Sequence, residues 1–263
     1  MGPDCNALVL IRKVTSRAGT TYLEQAEALL VRVRETRVQL VLSKFPAVFF
    51  EAIDLYLSDA ERQINQIRRR VLWGQTIPHE EKVFSLFERE TEWISKGKAG
   101  VPVELGLRVA VVEDQYRFIL THQVMQKTTD DQVAVSLVEA ALAGFPNIAS
   151  ASFDKGFHSP AKQIALAARI PQVVLPKKGK RSQAQREHEA DPEFVNRRRQ
   201  HSAVASAIHA LEVHGWDRCR DHGIDGFKRY VALAVVARNI QRLGAILRQQ
   251  EAERHRGPYL RAA

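Results

Sequence analysis

The sequence predicts an α/β chain in which a helical hairpin precedes a partial mixed sheet with flanking helices. Three observations lead there. Apolar residues recur at helical spacing through residues 20 to 73. Runs rich in β-branched and aromatic residues take over after "TIPHEEK". Strand-like and helix-like runs then alternate as far as "QVVLP".

The elements follow in order. "TTYLEQAEALLVRVRETRVQLVL" places Leu23, Ala26, Leu29, Leu30 and Val33 on one helix face, with Thr20 or Thr21 as N-cap. Beyond the Pro46 break, "AVFFEAIDLYLSDAERQINQIRRRVLWG" predicts a second amphipathic helix, with an interruption near Ser58. "KVFSLFE", "VELGLRVAVVED" and "RFILTHQVM" read as strands, and the polar "EDQYR" reads as a hairpin connection. "TTDDQVAVSLVEAALAGF" is a helix capped by Thr129 or Asp130 and closed by Gly144 and Pro146. "NIASASF" is a strand with Asp154 at its end. "SPAKQIALAARI" is a helix with Pro160 at its first position, where the missing N–H costs nothing. "QVVLP" is the next strand. "KKGKRSQAQREHEADPEFVNRRRQ" reads as a long charged loop. Two helices close the chain, "HSAVASAIHALEVHG" and "GFKRYVALAVVARNIQRLGAILRQQEAERHR", joined by a turn around "GWDRCRDHGID". The domain division expected is 1–75 helical, 76–250 sheet-containing core and 251–263 basic tail.

A chain of 263 residues can bury a substantial core. Its net charge of +9 and pI near 9.8 favour a polyanionic partner, nucleic acid first and an anionic membrane surface second. A basic protein without such a partner is the plainer alternative. Only Cys5 and Cys219 occur, so no disulfide framework is implied, and a reducing cytoplasm fits. The start shows no signal-peptide pattern, and Asn6 stands where a myristoylation signal needs Ser or Thr. No apolar run reaches the roughly 18 residues of a membrane span, so no membrane association is expected.

Asp154 is the leading chemical candidate. It ends a core strand, where open α/β sheets place ligand sites, and Lys155, Gly156 and His158 follow. The alternative is an Asp serving as a turn former. The second signal is basic. "KKGKR" (Lys177, Lys178, Lys180, Arg181) follows a strand, and "RRRQH" (Arg197, Arg198, Arg199) precedes a helix, so the two runs are expected to flank one groove. Clustered cations there would bind phosphates, with Lys228 and Arg229 adding to them. Glu187, Glu189, Asp191 and Glu193 make the centre of the segment acidic, and a solvated loop is the competing reading. His214, Cys219 and His222 in "HGWDRCRDHG" have no common zinc spacing and no fourth ligand. Glycine-rich phosphate loops, G-x-S-x-G and H-E-x-x-H are all absent from the sequence.

"EWISKGKAGVPVELG", "VVEDQYRFILTHQVMQKTTDDQ", "SFDKGFHSP", "LPKKGK" and "DHGIDGFKRYVALAVVARNIQRLG" resemble bacterial insertion-sequence transposases of the ISNCY type. The likeness runs in order from about Ile77 to Leu247. It implies a DDE transposase with an RNase H-like fold, in which Asp, Asp and Glu hold two Mg2+ ions for cleavage and joining of DNA strands. Asp154 matches the second aspartate, which makes it the expected metal ligand and catalytic residue. Ala205 in "HSAVAS" stands where the resemblance calls for the glutamate. Glu212, seven residues on, lies about 10 Å further along the axis at 1.5 Å per residue. The first aspartate belongs to a core strand upstream of a helical insertion resembling residues 20 to 73, and this chain begins at or within that insertion. Asp114 is the nearest acid, yet "VVEDQYR" reads as a hairpin tip. The resemblance therefore implies a truncated, inactive transposase of the cytoplasm and nucleoid that retains DNA as partner, with itself or an intact transposase as a further one. A helical DNA- or protein-interaction module without catalysis is the alternative.

Overall fold

The computed structural model describes residues 5–40, 44–95, 103–212 and 218–256, excluding the side chains of 5–16, 200–207 and 256. The chain divides into two compact units, Met1–Trp93 and Ile94–Ala263.

In the first unit, helices α1 (Cys5–Gln39) and α2 (Ala47–Ile67) form the expected hairpin, and α2 runs on as a π-helical turn over Arg68–Leu72. Leu23, Phe50 and Ile64 are buried. Opposite charges link the two helices along their length, pairing Arg37 with Asp54, Arg34 with Glu61 and Glu27 with Arg68. The rising and falling residue numbers mark an antiparallel pair. At its far end a Cβ on Gly19 would lie 2.7 Å from Val71 Cγ1, so glycine there permits close approach. Two expectations change. Thr20 and Thr21 lie inside α1 rather than capping it, with Thr21 Oγ1 bonded back to the Arg17 carbonyl. Ser58 does not interrupt α2.

The predicted strand over 82–88 is irregular chain. Its polar groups are met by side chains instead of a ladder: Val83 N donates to Gln66 Oε1 at 2.9 Å, and Glu88 N donates to Ser85 Oγ. Buried Asp59 on α2 holds Arg89 Nε at 2.7 Å. The segment is thereby strapped to the helix.

Among the described residues, three separate two-stranded ladders stand in place of the expected single mixed sheet. β1 (Glu92–Ser95) pairs with β2 (Val103–Gly106), β3 (Arg108–Glu113) with β4 (Ile119–Met125), and β5 (Ser150–Ser152) with β6 (Gln172–Val174). β1 was not anticipated, and "VELGLRVAVVED" breaks at Leu107 into two strands. The β3–β4 hairpin is antiparallel. Its tip is a turn from Asp114 to Arg117, with Arg117 at φ +70 in the left-handed position of a three-residue loop.

Helix α3 (Asp130–Gly144) starts at the expected Thr129 through a capping box with Gln132. It covers one face of both ladders. Val133 and Leu137 pack with Ala110 and Met125, while Ala134 and Val138 pack with Phe153, Leu166, Ile170 and Leu175. The alternate parity of β3 turns Val111 to the other face, where Ile119 meets Leu211 and Val235. Those two residues belong to α6 (Pro192–Leu211) and α7 (Gly223–Arg256). Helices therefore cover both faces of a thin β layer. α4 (Pro160–Ala167) has Pro160 at its first position as predicted, and the Ser159 side chain caps it.

The long charged segment is folded, contrary to expectation. Ser182 and Gln185 form a capping box for α5 (Gln183–Ala190), and Asp191 caps α6 with Pro192 at its first position. The final helix also departs from the prediction. By length and composition α7 is apolar enough to cross a membrane, and only 11% of its most apolar window is buried.

Candidate functional site

Parallel pairing puts β5 and β6 in step. Ser152 is opposite Val174, and Phe153 N extends the ladder to the Val174 carbonyl at 2.9 Å. Asp154 and the segment beginning at Leu175 therefore leave from the carboxyl ends of adjacent parallel strands. That is where open α/β sheets gather ligand-binding loops.

Asp154 is exposed and precedes the 3-10 turn Lys155–Phe157. Its Oδ1 accepts Lys155 N at 2.7 Å, so the carboxylate does serve as a turn former. The turn abuts a second acid. A Cβ on Gly156 would sit 2.5 Å from Asp130 Oδ2, so any larger residue there would push the Asp130 carboxylate aside. Asp130 in turn accepts from Arg108 at 3.3 Å. No sequence pattern pointed to Asp130 as a neighbour of this turn, because the contact joins a helix start to a strand end.

The other acids are occupied elsewhere. Asp114 Oδ1 accepts the amides of Tyr116 and Phe118 at 2.9 and 2.8 Å, which closes the hairpin tip. Glu212 ends α6 as an exposed residue, 3.8 Å from His209. Ala205 lies on α6, with its side chain outside the described residues. Among the described residues no three His, Cys, Asp or Glu side chains come together as a metal-binding group. These donors do not make a cage for two Mg2+ ions. His214 of the zinc reading lies outside the described residues, while Cys219 Sγ contacts the Asp221 carbonyl at 3.3 Å.

The basic segment has a defined anchor. Glu189 of α5 is buried and accepts Lys177 N at 2.8 Å and the Arg181 guanidinium at 3.0 Å. Lys177 Nζ donates to Gln185 Oε1 at 2.8 Å. Between these pins Lys178 and Lys180 are exposed, and Gly179 takes φ +88, a value that suits glycine. Glu189 does not dilute the positive charge of the exposed loop surface. Its charge is turned inward and shapes the loop.

Arg197 does not flank the same groove. Its guanidinium donates to Glu193 and to Ser150 Oγ at 3.2 Å, and Ser150 is the first residue of β5. That is the end of the strand pair away from Lys177–Arg181. The Glu193 carboxyl is held below the usual range first by its hydrogen bond from Arg197 and then by Gln172. Arg198 and Arg199 are exposed on the same helix. Lys228 is exposed on the first turns of α7, and Arg229 pairs with Asp221 at 3.0 Å. The Asp221 carboxyl is lowered first by the His222 amide and then by Arg229. Lys177, Lys178, Lys180, Arg181 and the Asp154 turn thus share one end of the β5–β6 pair, and of these cations Lys178 and Lys180 are the ones not used to pin the loop.

No family model, no curated protein and no solved structure matches this chain.

Proposed function

We propose that this chain is a DNA-binding protein of the transposase type, RNase H-like in plan, which grips phosphate backbones without a complete strand-cutting centre. One observation carries the reading. Exposed Lys178 and Lys180, on a loop pinned by buried Glu189, leave from the carboxyl end of β6 beside the exposed Asp154 turn on β5. Two unpinned lysines would be a solvated tail, whereas a loop with a fixed backbone holds both exposed charges within one short stretch. Hairpin, helix, parallel strand pair and helices on both faces support the RNase H-like plan. The net charge of +9 supports a polyanionic partner.

Fluorescence anisotropy with a labelled random-sequence duplex tests the reading. Affinity is expected to fall with salt, and K178A/K180A is expected to lower the slope of log K against log salt by about 2. D154N is expected to leave that slope unchanged. A slope that K178A/K180A does not alter would remove the loop from the interface. Nicking of supercoiled plasmid in Mg2+, abolished by D154N, would show that a working centre exists after all.

A further inference from the structure

One face of α7 is fully engaged inside its own unit. Val231 and Val235 are buried. Asn239 brackets the first residue of β4, with Oδ1 accepting Ile119 N and Nδ2 donating to Ile119 O, both at 2.9 Å. Arg242 Nε donates to the Tyr116 carbonyl at 2.8 Å. Another face is open. Leu233, Val236, Ile240, Leu243 and Leu247 are 68, 54, 65, 48 and 54% exposed. Their spacing of three, four, three and four residues is that of the a and d positions of a coiled-coil seam. The stripe runs about 21 Å at 1.5 Å per residue.

We infer that this stripe is an interface with a second copy of the chain, the two α7 helices lying antiparallel and crossing at Ile240. The flanking residues select both the occupant and the direction. In that register Leu233 faces the second copy's Leu247, Val236 faces Gly244, and Leu243 faces Ala237. Large side chains thus meet small ones, and Ile240 meets itself on the two-fold axis. At one end of the stripe exposed Lys228, with Arg229 beside it on its own-chain partner Asp221, comes near Glu251 and Glu253 of the second copy. A parallel pair would instead set arginine against arginine and glutamate against glutamate. Such self-complementarity is what a two-fold interface requires. Arg238, Arg242 and Arg248 point away from the seam in this heptad register. Lipid around the whole helix would immerse those charges and displace the face docked on β4.

The full-length chain tests this by sedimentation velocity and cysteine cross-linking. The wild type is expected to be dimeric at micromolar concentration, and I240E to raise the dimer dissociation constant at least ~100-fold by placing two carboxylates on the axis. Circular dichroism shows whether I240E remains folded. Independently of that variant, I240C in a C5S/C219S background is expected to form an intermolecular disulfide under mild oxidation, and L233C is not. A monomeric wild type would overturn the proposal, as would an I240E dimer of unchanged affinity. Cross-linking of L233C in place of I240C would overturn the antiparallel register. Monomeric protein that floats with phosphatidylcholine–phosphatidylglycerol vesicles would assign the stripe to a lipid surface instead.

Discussion

Glu113 and His122 carry their ionisation into partly buried ground on the β3–β4 hairpin, and both report on folding through pH. Burial raises the Glu113 carboxyl above its ordinary value, against the opposing pull of Arg238, Arg117 and Arg242. A raised acid favours the protonated form in the folded state, so its contribution is full below the unfolded pKa and is lost as pH rises through the folded one. E113Q should therefore unfold at a higher temperature than wild type at pH 7. The two melting curves should converge below the ordinary glutamate value of about 4.5. A wild type that melts higher at pH 7 would refute this. His122 works in the opposite sense, because burial lowers its imidazole from 6.5. Stability should fall as pH drops below that value, and H122Q should flatten this limb in urea titrations at pH 7 and pH 5. At the hairpin tip, Arg117 holds φ +70 without being glycine. R117G should stabilise the unit by about 1 kcal/mol in urea denaturation, since the left-handed conformation costs an L-residue roughly that much.

Elements show where local signals succeed and where partners decide. α3 and α4 begin where the Thr129–Asp130 pair and Pro160 announce them, because a start signal and its helix lie within four residues of each other. α5 and the start of α6 carried comparable signals, "SQAQ" and "DPEF", which the density of charge around them masked. The 82–88 segment has strand-like composition but lies against α2, whose Gln66 and Asp59 meet its backbone and Arg89. Glu189 gives the sharpest test at this scale. E189A removes two charge-assisted bonds from the 177–181 loop and should cost about 2 kcal/mol. Hydrogen exchange at Lys177 should quicken, and DNA affinity should weaken although a negative charge has been deleted. Tighter binding by E189A would mean that simple charge, and not loop geometry, governs the contact.

For the whole molecule, charge sets the expected behaviour with DNA. Four phosphate contacts would give a log–log slope near −3.6, so affinity should drop about 100-fold between 50 and 200 mM salt. A salt-insensitive affinity would favour a protein partner. The amino-acid order alone established an antiparallel helical pair, the β3–β4 hairpin, the starts of α3 and α4, and Asp154 at a strand end. Those features rest on periodicity and on contacts a few residues apart. Folding in three dimensions decided the rest. It separated the strands of the described residues into three ladders, set Asp130 against Gly156, and turned Glu189 inward. It also chose which stripe of an apolar α7 rests on Ile119 and which faces outward. Each of these pairings joins groups far apart in the chain, and whether a carboxylate or a leucine is covered depends on what the fold brings to it.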